Sequence, residues 1–128
     1  MRALLDTHTF LWWITDHAQL SHRAKTFMQS GTNELLLSAA SAWELAIKTQ
    51  LGRLQWSESP ERFIPKQMAL NGITPLPIAL HHALHIHTLP GLHRDPFDRM
   101  LVAQAQLEHV PLVTADPLIA QYEVKIIW

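Results

Sequence analysis

Short, uniformly apolar runs alternate with longer helical segments along this sequence, and the alternation limits the folds that the chain can adopt. Residues 3–5 read ALL and residues 35–37 read LLL, and such runs are too uniformly apolar for strands that expose one face to water. Further strands are predicted at 73–76, 111–114 and 125–128, with helices between them. Strands that alternate with helices indicate a parallel sheet covered by helices on both faces. We therefore predict an α/β fold of three layers, α/β/α, around a central parallel sheet of four to five strands.

The helices are predicted from capping residues and from glycine and proline stop signals. With approximate bounds, the predicted helices cover residues 7–14, 21–30, 41–51, 61–70, 78–89 and 96–107. Thr7 is the predicted cap of the first helix. Asp95 is placed to cap the last helix, Pro96 suits its first position, and Asp98 falls in its first turn.

The composition fits one globular domain. With 128 residues, of which 48% are hydrophobic, the chain is long enough to bury a core, and we expect residues 1–128 to form a single domain. We expect neither a membrane span, which needs ~20 apolar residues, nor a secretion signal. The absence of cysteine excludes disulfides and thiolate metal sites and suits a cytoplasmic protein. With a net charge of −1, the chain would have to hold a nucleic acid by a local basic patch.

Four acidic residues stand where this fold binds ligands. Asp6 and Asp116 each end a predicted strand. Glu44 lies near the start of the helix after the second strand, and Asp98 near the start of the helix before the fourth. Because ligands bind outside the carboxyl ends of parallel strands, the four carboxylates would converge and repel one another. A bound Mg²⁺ or Mn²⁺ relieves that repulsion, so the pattern predicts metal-assisted hydrolysis of a phosphodiester.

Three of the four acids also have a purely structural interpretation, whereas Asp6 is harder to dismiss because Thr7 is available as the cap beside it. Ser41 and Glu44 have the spacing of a capping box. Asp116 before Pro117 is typical of a helix cap, and Asp98 complements the positive end of a helix dipole. These interpretations are independent of one another, whereas one shared site explains all four acids, so we favour the site.

Histidines and tryptophans suggest two further roles. Four histidines crowd one predicted helix, and His81 and His85, one turn apart, could ligate Zn²⁺, although no third ligand is evident. The five tryptophans could stack on nucleic-acid bases. Trp12 and Trp13 point about 100° apart on a helix, so at most one fits squarely into the core. We predict that the exposed one packs against a partner chain rather than an RNA base.

Four segments of the chain resemble a known family. Residues 4–8, 41–48, 93–101 and 112–116 read LLDTH, SAWELAIK, HRDPFDRML and LVTAD. They resemble the PIN domain, most closely the VapC-type toxins of bacterial and archaeal toxin–antitoxin pairs, and the resemblance spans essentially the whole chain. It implies a PIN-like central parallel sheet flanked by helices and an endoribonuclease that depends on Mg²⁺ or Mn²⁺.

The resemblance assigns Asp6, Glu44, Asp98 and Asp116 to an acidic site, and Asp95 matches a further acid found in this subgroup. We expect Asp6 and Asp98 to hold the metal, directly or through water. Glu44 and Asp116 are then expected to orient or deprotonate the attacking water.

Three basic residues flank these acids. Lys48 lies one turn beyond Glu44 on the same helix face. Arg94 directly precedes Asp95, and Arg99 directly follows Asp98. They could hold substrate phosphates, and the alternative is that they are solvated charges or partners of neighbouring acids.

The resemblance also implies partners. We expect an RNA substrate, a homodimer, and a cognate antitoxin whose C-terminal segment lies across the helices near Trp12, Trp13 and Trp43. The competing hypothesis is a PIN-like module that binds RNA or an antitoxin without cutting RNA. A phosphate-accepting signalling domain of similar topology is disfavoured, because no pair of adjacent acids follows the first strand.

Overall fold

The computed structural model describes residues 1–128 and contains one sheet of five parallel strands. The strands are β1 (Arg2–Leu5), β2 (Glu34–Ser38), β3 (Ile73–Leu76), β4 (Leu112–Val113) and β5 (Ile126–Ile127). Their order across the sheet is β3-β2-β1-β4-β5, and all four pairings are parallel. The predicted three-layer α/β/α fold is confirmed, with five strands. Pro75 lies on an edge strand, where a missing amide donor is tolerated.

Six α-helices and two 3₁₀ turns connect the strands. The helices are α1 (Thr7–Ile14), α2 (His22–Gln29), α3 (Ala39–Gln50), α4 (Pro60–Leu70), α5 (Leu80–His85) and α6 (Pro96–Glu108). The 3₁₀ turns cover Ile86–Thr88 and Ile119–Gln121. None of the helices combines the length and the apolar character that crossing a bilayer requires.

The sheet is buried on both faces. Successive side chains of a strand point to opposite faces, so Ala3 and Leu5 lie in one core while Leu4 lies in the other. Phe10 of α1 packs into the first core, and Leu101 of α6 packs into the second. All five residues are fully buried. This double burial explains why the strand segments are apolar throughout and do not alternate.

The order of the strands reverses at β1, so the sheet has a topological switch point between β1 and β4. From β1 the chain moves outward through β2 to β3, and then it returns to add β4 and β5 on the other side. Leu5, at the end of β1, pairs with Leu37 in one neighbour and with Val113 in the other. The crevice at such a switch point is where α/β folds bind ligands. Here the crevice begins at the residues that follow the two strands, Asp6 and Thr114.

Two helices differ in extent from the prediction. α3 begins at Ala39, two residues earlier than predicted, because the Ser38 hydroxyl accepts a hydrogen bond from the Ala40 amide at 2.9 Å. The helix predicted over 78–89 is shorter, since α5 ends at His85 and the chain tightens into a 3₁₀ turn. Leu89 is extended, with ψ of 138°, as the residue before a proline usually is.

Candidate active site

Asp6 follows β1 directly and is the N-cap of α1. Its Oδ1 accepts a hydrogen bond from the Thr9 amide at 2.7 Å, so the prediction that Thr7 caps this helix is wrong. Its Oδ2 accepts a hydrogen bond from the hydroxyl of Thr114, which follows β4. The Asp6 amide donates to the Val113 carbonyl at 3.2 Å. These contacts fix a buried carboxylate at the switch point between β1 and β4.

Glu44 lies in the second turn of α3 and is buried. The Thr7 hydroxyl donates to Glu44 Oε1 at 2.7 Å and lies 3.0 Å from the Ser41 hydroxyl. The Lys48 ammonium, one turn further along the helix, pairs with Glu44 Oε2 at 3.0 Å. The capping-box interpretation of Ser41 and Glu44 is wrong, because Ser38 caps the helix and the Glu44 carboxylate reaches α1 instead.

One histidine joins two of the predicted acids. His93 Nε2 lies 3.1 Å from Asp98 Oδ2 and 3.0 Å from Asp116 Oδ2. His93 Nδ1 accepts a hydrogen bond from the Asp95 amide at 3.1 Å, so the ring proton belongs on Nε2, where the two carboxylates share it. The ring nitrogen of His93 and the carboxylate oxygens of Asp98 and Asp116 lie within 4.8 Å of one another. With its proton on Nε2 and its Nδ1 accepting from the backbone, His93 has no free lone pair for a metal, so the carboxylates would hold a cation here.

Neighbouring negative charges act on Asp98. Its pKa is raised from 3.8 to about 7, chiefly because burial removes water from the carboxylate. The charges of Asp95, Glu44 and Asp6 raise it further, and His93 opposes the rise. The structure therefore brings the predicted acids together from separate elements of the chain. We call the group formed by Asp6, Glu44, Asp98, Asp116 and His93 the acidic cluster.

Asp95 and Asp116 also cap helical turns. Asp95 Oδ1 accepts hydrogen bonds from the amides of Phe97 and Asp98, at 2.8 and 3.3 Å, and the predicted cap of α6 is confirmed. Asp116 Oδ1 accepts from the Leu118 amide at 2.8 Å, ahead of a 3₁₀ turn. One oxygen of Asp116 thus has the capping role that the sequence suggested, whereas the other oxygen belongs to the acidic cluster.

The carboxylate oxygens of the acidic cluster are ligand atoms that suit a hard divalent cation. Every acid offers carboxylate oxygen, and the chain has no cysteine to offer thiolate. Burial and the neighbouring acids raise the pKa of Asp98 to about 7, and a bound cation would supply positive charge beside them. The residues present therefore suit an ion that prefers oxygen ligands.

The basic residues predicted to hold phosphates have different surroundings. Lys48 is engaged by Glu44, whereas Arg94 is exposed next to the start of α6. Arg99 lies among four acceptors, at 2.9 to 3.4 Å from its guanidinium nitrogens: the carbonyls of Pro90, His93 and Ile86 and the Tyr122 hydroxyl. We therefore assign Arg99 to the loop before α6 and not to substrate phosphate.

Three polar residues of this region were not singled out from the sequence. His93 stands two residues before the cap of α6, so its place beside Asp98 had a local signal. Thr114 directly follows β4, as Asp6 follows β1, so its position at the carboxyl end of a strand could have been predicted from the sequence. Tyr122 had no such signal, because its buried hydroxyl contacts a loop far away in the sequence, accepting from the His93 amide at 2.9 Å.

The histidine-rich segment does not form the suggested His81 and His85 zinc pair. His85 Nε2 bonds Gln106 Oε1 at 2.8 Å. His81 instead lies beside His82 and Glu108. The buried His82 accepts a backbone amide at Nδ1, so its Nε2 carries the proton and donates it to Glu108, whose pKa is lowered by this hydrogen bond. His82 therefore has no free lone pair for a metal.

A shallow cleft of about 280 Å³ opens beside the acidic cluster, lined by Asp6, His8, Trp12, Ala115, Asp116 and Pro117. A larger cavity of about 500 Å³ lies at the amino ends of the strands, where Met1 and Lys125 precede β1 and β5. No acidic residue lines that larger cavity. The chemistry of the lining, and not the volume, identifies the candidate site.

The raised pKa of Asp98 determines how stability should depend on pH in the metal-free protein. The folded protein binds a proton at Asp98 more tightly than the unfolded chain does, so raising the pH from about 4 through about 7 lowers the contribution of Asp98 to the free energy of unfolding. Asp98→Asn removes this penalty. Above about pH 7 in EDTA, we expect the variant to be more stable than wild type by up to about 4 kcal/mol, at about 1.4 kcal/mol per tenfold change in proton affinity.

Chemical denaturation of both proteins between about pH 4 and about pH 8 measures the effect, and the difference should vanish at the acid end. Asp16→Asn is the matched control, because the Asp16 side chain is 87% exposed. An Asp98→Asn variant that shows no growing advantage over wild type as the pH rises would contradict the assignment.

Comparison with known proteins finds a matching family and a partly similar ribonuclease. Residues 3–125 match the sequence model of the PIN domain. Ribonuclease VapC16 of Mycobacterium tuberculosis is 37% identical over 68 residues, which cover 53% of this chain and 48% of that protein. The aligned part of this chain thus spans about half the length of that curated relative.

Solved structures show the same fold. VapBC2 from Rickettsia felis, bound to a DNA fragment from its promoter, gives a TM-score of 0.72 at 14% identity over 98% of this chain and 97% of that chain. VapBC-1 from nontypeable Haemophilus influenzae gives 0.63 at 18% identity over 98% and 96%. At these identities the likeness concerns the fold alone. The family match, which runs through nearly the whole chain and includes all four acids, shows that the protein belongs to the PIN domain family.

Proposed function

We propose that this protein is an endoribonuclease that depends on Mg²⁺ or Mn²⁺ and is the toxin component of a toxin–antitoxin pair. The observation that carries the proposal is the convergence of four carboxylates from four elements at the switch point of a parallel sheet, one of them buried enough to raise its pKa to about 7. Membership of the PIN domain family and the likeness to a protein named ribonuclease support RNA as the substrate.

Asp6 and Asp98 would hold the cation. Asp6 is fixed by hydrogen bonds to both of its carboxylate oxygens. Asp98 is the carboxylate whose pKa is raised by burial and by neighbouring acids, and a cation beside it would stabilise its ionised form. When bound, the cation would activate a water and neutralise negative charge on the scissile phosphate. The oxygen-only acid set does not distinguish Mg²⁺ from Mn²⁺.

The remaining members of the acidic cluster would orient or deprotonate the attacking water. Thr7 and Lys48 hold both oxygens of Glu44, so the direction of that carboxylate is fixed. His93 Nε2 donates to both Asp98 and Asp116 and keeps these two carboxylates at a set separation.

Two further residues would act at the margin of the site. Arg94, which is exposed beside α6, remains our candidate for a contact to substrate phosphate. Asp95 would act indirectly, because it caps α6 and its charge raises the pKa of Asp98. Asn caps helices as well as Asp does, so Asp95→Asn should preserve the helix while it removes the charge.

We also propose a cognate antitoxin and action in the cytoplasm. A structure of similar fold from Klebsiella pneumoniae is described as a toxin–antitoxin complex, which supports a protein partner. Of the three tryptophans considered for this contact, Trp13 donates to Asn71 at 3.0 Å and Trp12 is half-buried. Trp43 is 60% exposed and packs edge-to-face on Phe97, so it offers the most surface for a partner to cover.

A homodimer is the second partner that we propose. Leu80 and Leu84 lie one turn apart on α5 and are 77% and 62% exposed. Leucines at this spacing share one helix face, and burying such a face against a second copy would remove it from water.

The ribonuclease proposal is tested by incubating total RNA with the protein, with and without Mg²⁺ or Mn²⁺, and mapping the ends. We expect cleavage only with metal, and we expect Asp6→Asn and Asp98→Asn to reduce it to the level seen in EDTA. Asp16→Asn, an exposed acid away from the cluster, should cut like wild type. Circular dichroism confirms that the variants are folded.

Undiminished cleavage by Asp98→Asn would show that the acidic cluster is not the active site. A wild-type protein that binds RNA but leaves it intact with either metal would favour the non-catalytic PIN-like binding module instead.

The dimer is tested by light scattering of the chain alone at micromolar concentration. We expect wild type to be a dimer and Leu84→Glu to be a monomer, because a charge cannot be buried unpaired in an apolar interface. Leu70→Glu is the matched control, since Leu70 is 73% exposed at the end of α4. A monomeric wild type would contradict the dimer, and dissociation by Leu70→Glu alone would place the interface elsewhere.

A further inference from the structure

The cleft beside the acidic cluster has an aromatic wall. His8 and Trp12 line one side of it, one turn apart on the same face of α1. Their ring centroids lie 5.7 Å apart, with 39° between the ring planes. His8 is exposed while Trp12 is half-buried, so the imidazole is accessible to solvent and the indole lies beside it at a tilted angle.

Trp12, next to His8, is held by several contacts of its own. Trp12 contacts Trp128 at a centroid separation of 5.9 Å and His17 at 5.7 Å. Trp12 also packs against the core beneath α1. A wall built in this way costs little conformational entropy when a flat ligand stacks on it, because its members are already held in place.

The rest of the cleft limits the kind of ligand. Ala115, Pro117 and the two acids Asp6 and Asp116 complete the lining of the cleft. No lysine or arginine lines the cleft, so it does not suit a phosphate. The volume, about 280 Å³, lies just below the ~300–1,000 Å³ of drug-sized pockets, which suits one planar ring system.

We propose that His8 and Trp12 form a binding site for a single nucleobase of single-stranded RNA, next to the phosphate that the acidic cluster cuts. This inference rests on the proposed ribonuclease function and adds a base-recognising subsite to it. The continuity of the cleft carries the assignment, because Asp6 and Asp116 belong both to the acidic cluster and to the cleft lining. Single-stranded RNA is commonly recognised by stacking unpaired bases on aromatic side chains.

The two adjacent tryptophans have surroundings that the sequence did not predict. A partner chain was predicted to cover whichever of Trp12 and Trp13 is exposed. Trp13 donates to Asn71 beside a different cavity, and Trp12 lies next to His8 at the active-site cleft. Both are half-buried, and the contact with a partner chain stays a prediction. An aromatic side chain of a partner protein is thus the competing occupant of the cleft, and RNA affinity distinguishes the two occupants.

RNA binding can be measured without cleavage. In the Asp98→Asn background with Mg²⁺, fluorescence anisotropy reports the binding of labelled single-stranded RNA oligonucleotides. His8→Ala should weaken binding by about 5- to 150-fold, the range that corresponds to the loss of one stacked base. His8→Phe, which keeps a stacking ring, should restore most of the affinity. His17→Ala is the matched control, because His17 is also exposed and also contacts Trp12 but does not line the cleft.

A scan with abasic nucleotides locates the base. Removing one base at a time while keeping every phosphate should weaken binding at one position next to the mapped cleavage site. His8→Ala should be insensitive to the abasic substitution at that position, since the contact is already lost. A subsite for a partner's side chain, in contrast, would leave RNA affinity unchanged in His8→Ala.

The outcomes also separate the base site from the proposed ribonuclease function. If wild type cuts RNA and Asp98→Asn does not, but His8→Ala and His17→Ala bind RNA equally well, the base site is wrong and the ribonuclease stands. If wild type neither binds nor cuts RNA, both are wrong.

Discussion

Carboxylates held at one edge of a sheet repel one another, and folding must overcome that repulsion before the site can serve any purpose. In this protein each acid is restrained by a donor from another element. Thr114 holds Asp6, Thr7 holds Glu44, and His93 bridges the other two. Apart from His93 and Asp98, the donors and acceptors are far apart in the sequence, so the acidic cluster also ties β1, α1, α3 and α6 together. Such sites are places where proteins give up stability for activity.

The loop that carries His93 depends on a second set of contacts. Tyr122 is buried, and its hydroxyl accepts from the His93 amide and donates to the Pro90 carbonyl at 3.0 Å. Arg99 donates to the same hydroxyl and to the carbonyls of Pro90 and His93. A residue of α6 and a residue near the C-terminus thus fix the imidazole over Asp98. The hydrogen bonds of Arg99 thus hold the loop that positions the acids, and its guanidinium is turned to that loop.

Local patterns in the sequence predicted much of this arrangement. The uniform apolar run before Asp6 predicted a strand buried on both faces, and the Asp95 cap predicted the start of α6. The convergence of the four acids followed from strand order, which the alternation of elements limits strongly. The contacts that sequence could not provide are those between distant loops, such as Tyr122 with the loop before α6. Which side of α1 Trp12 faces likewise depends on packing, because two adjacent tryptophans satisfy the helical pattern equally well.

The central claim is that Asp6 and Asp98 hold a divalent cation within the acidic cluster, and ion-dependent stability of the free protein tests it most directly. Thermal unfolding of wild type in EDTA is compared with unfolding in Mg²⁺ or Mn²⁺ at increasing concentration. A shared site predicts a gain that grows with concentration and reaches about 2.7 kcal/mol at a hundredfold excess over the dissociation constant. Asp98→Asn should gain less than wild type, and Asp16→Asn should gain as much. A wild type whose unfolding is indifferent to both ions, or a gain that Asp98→Asn retains in full, would contradict the claim.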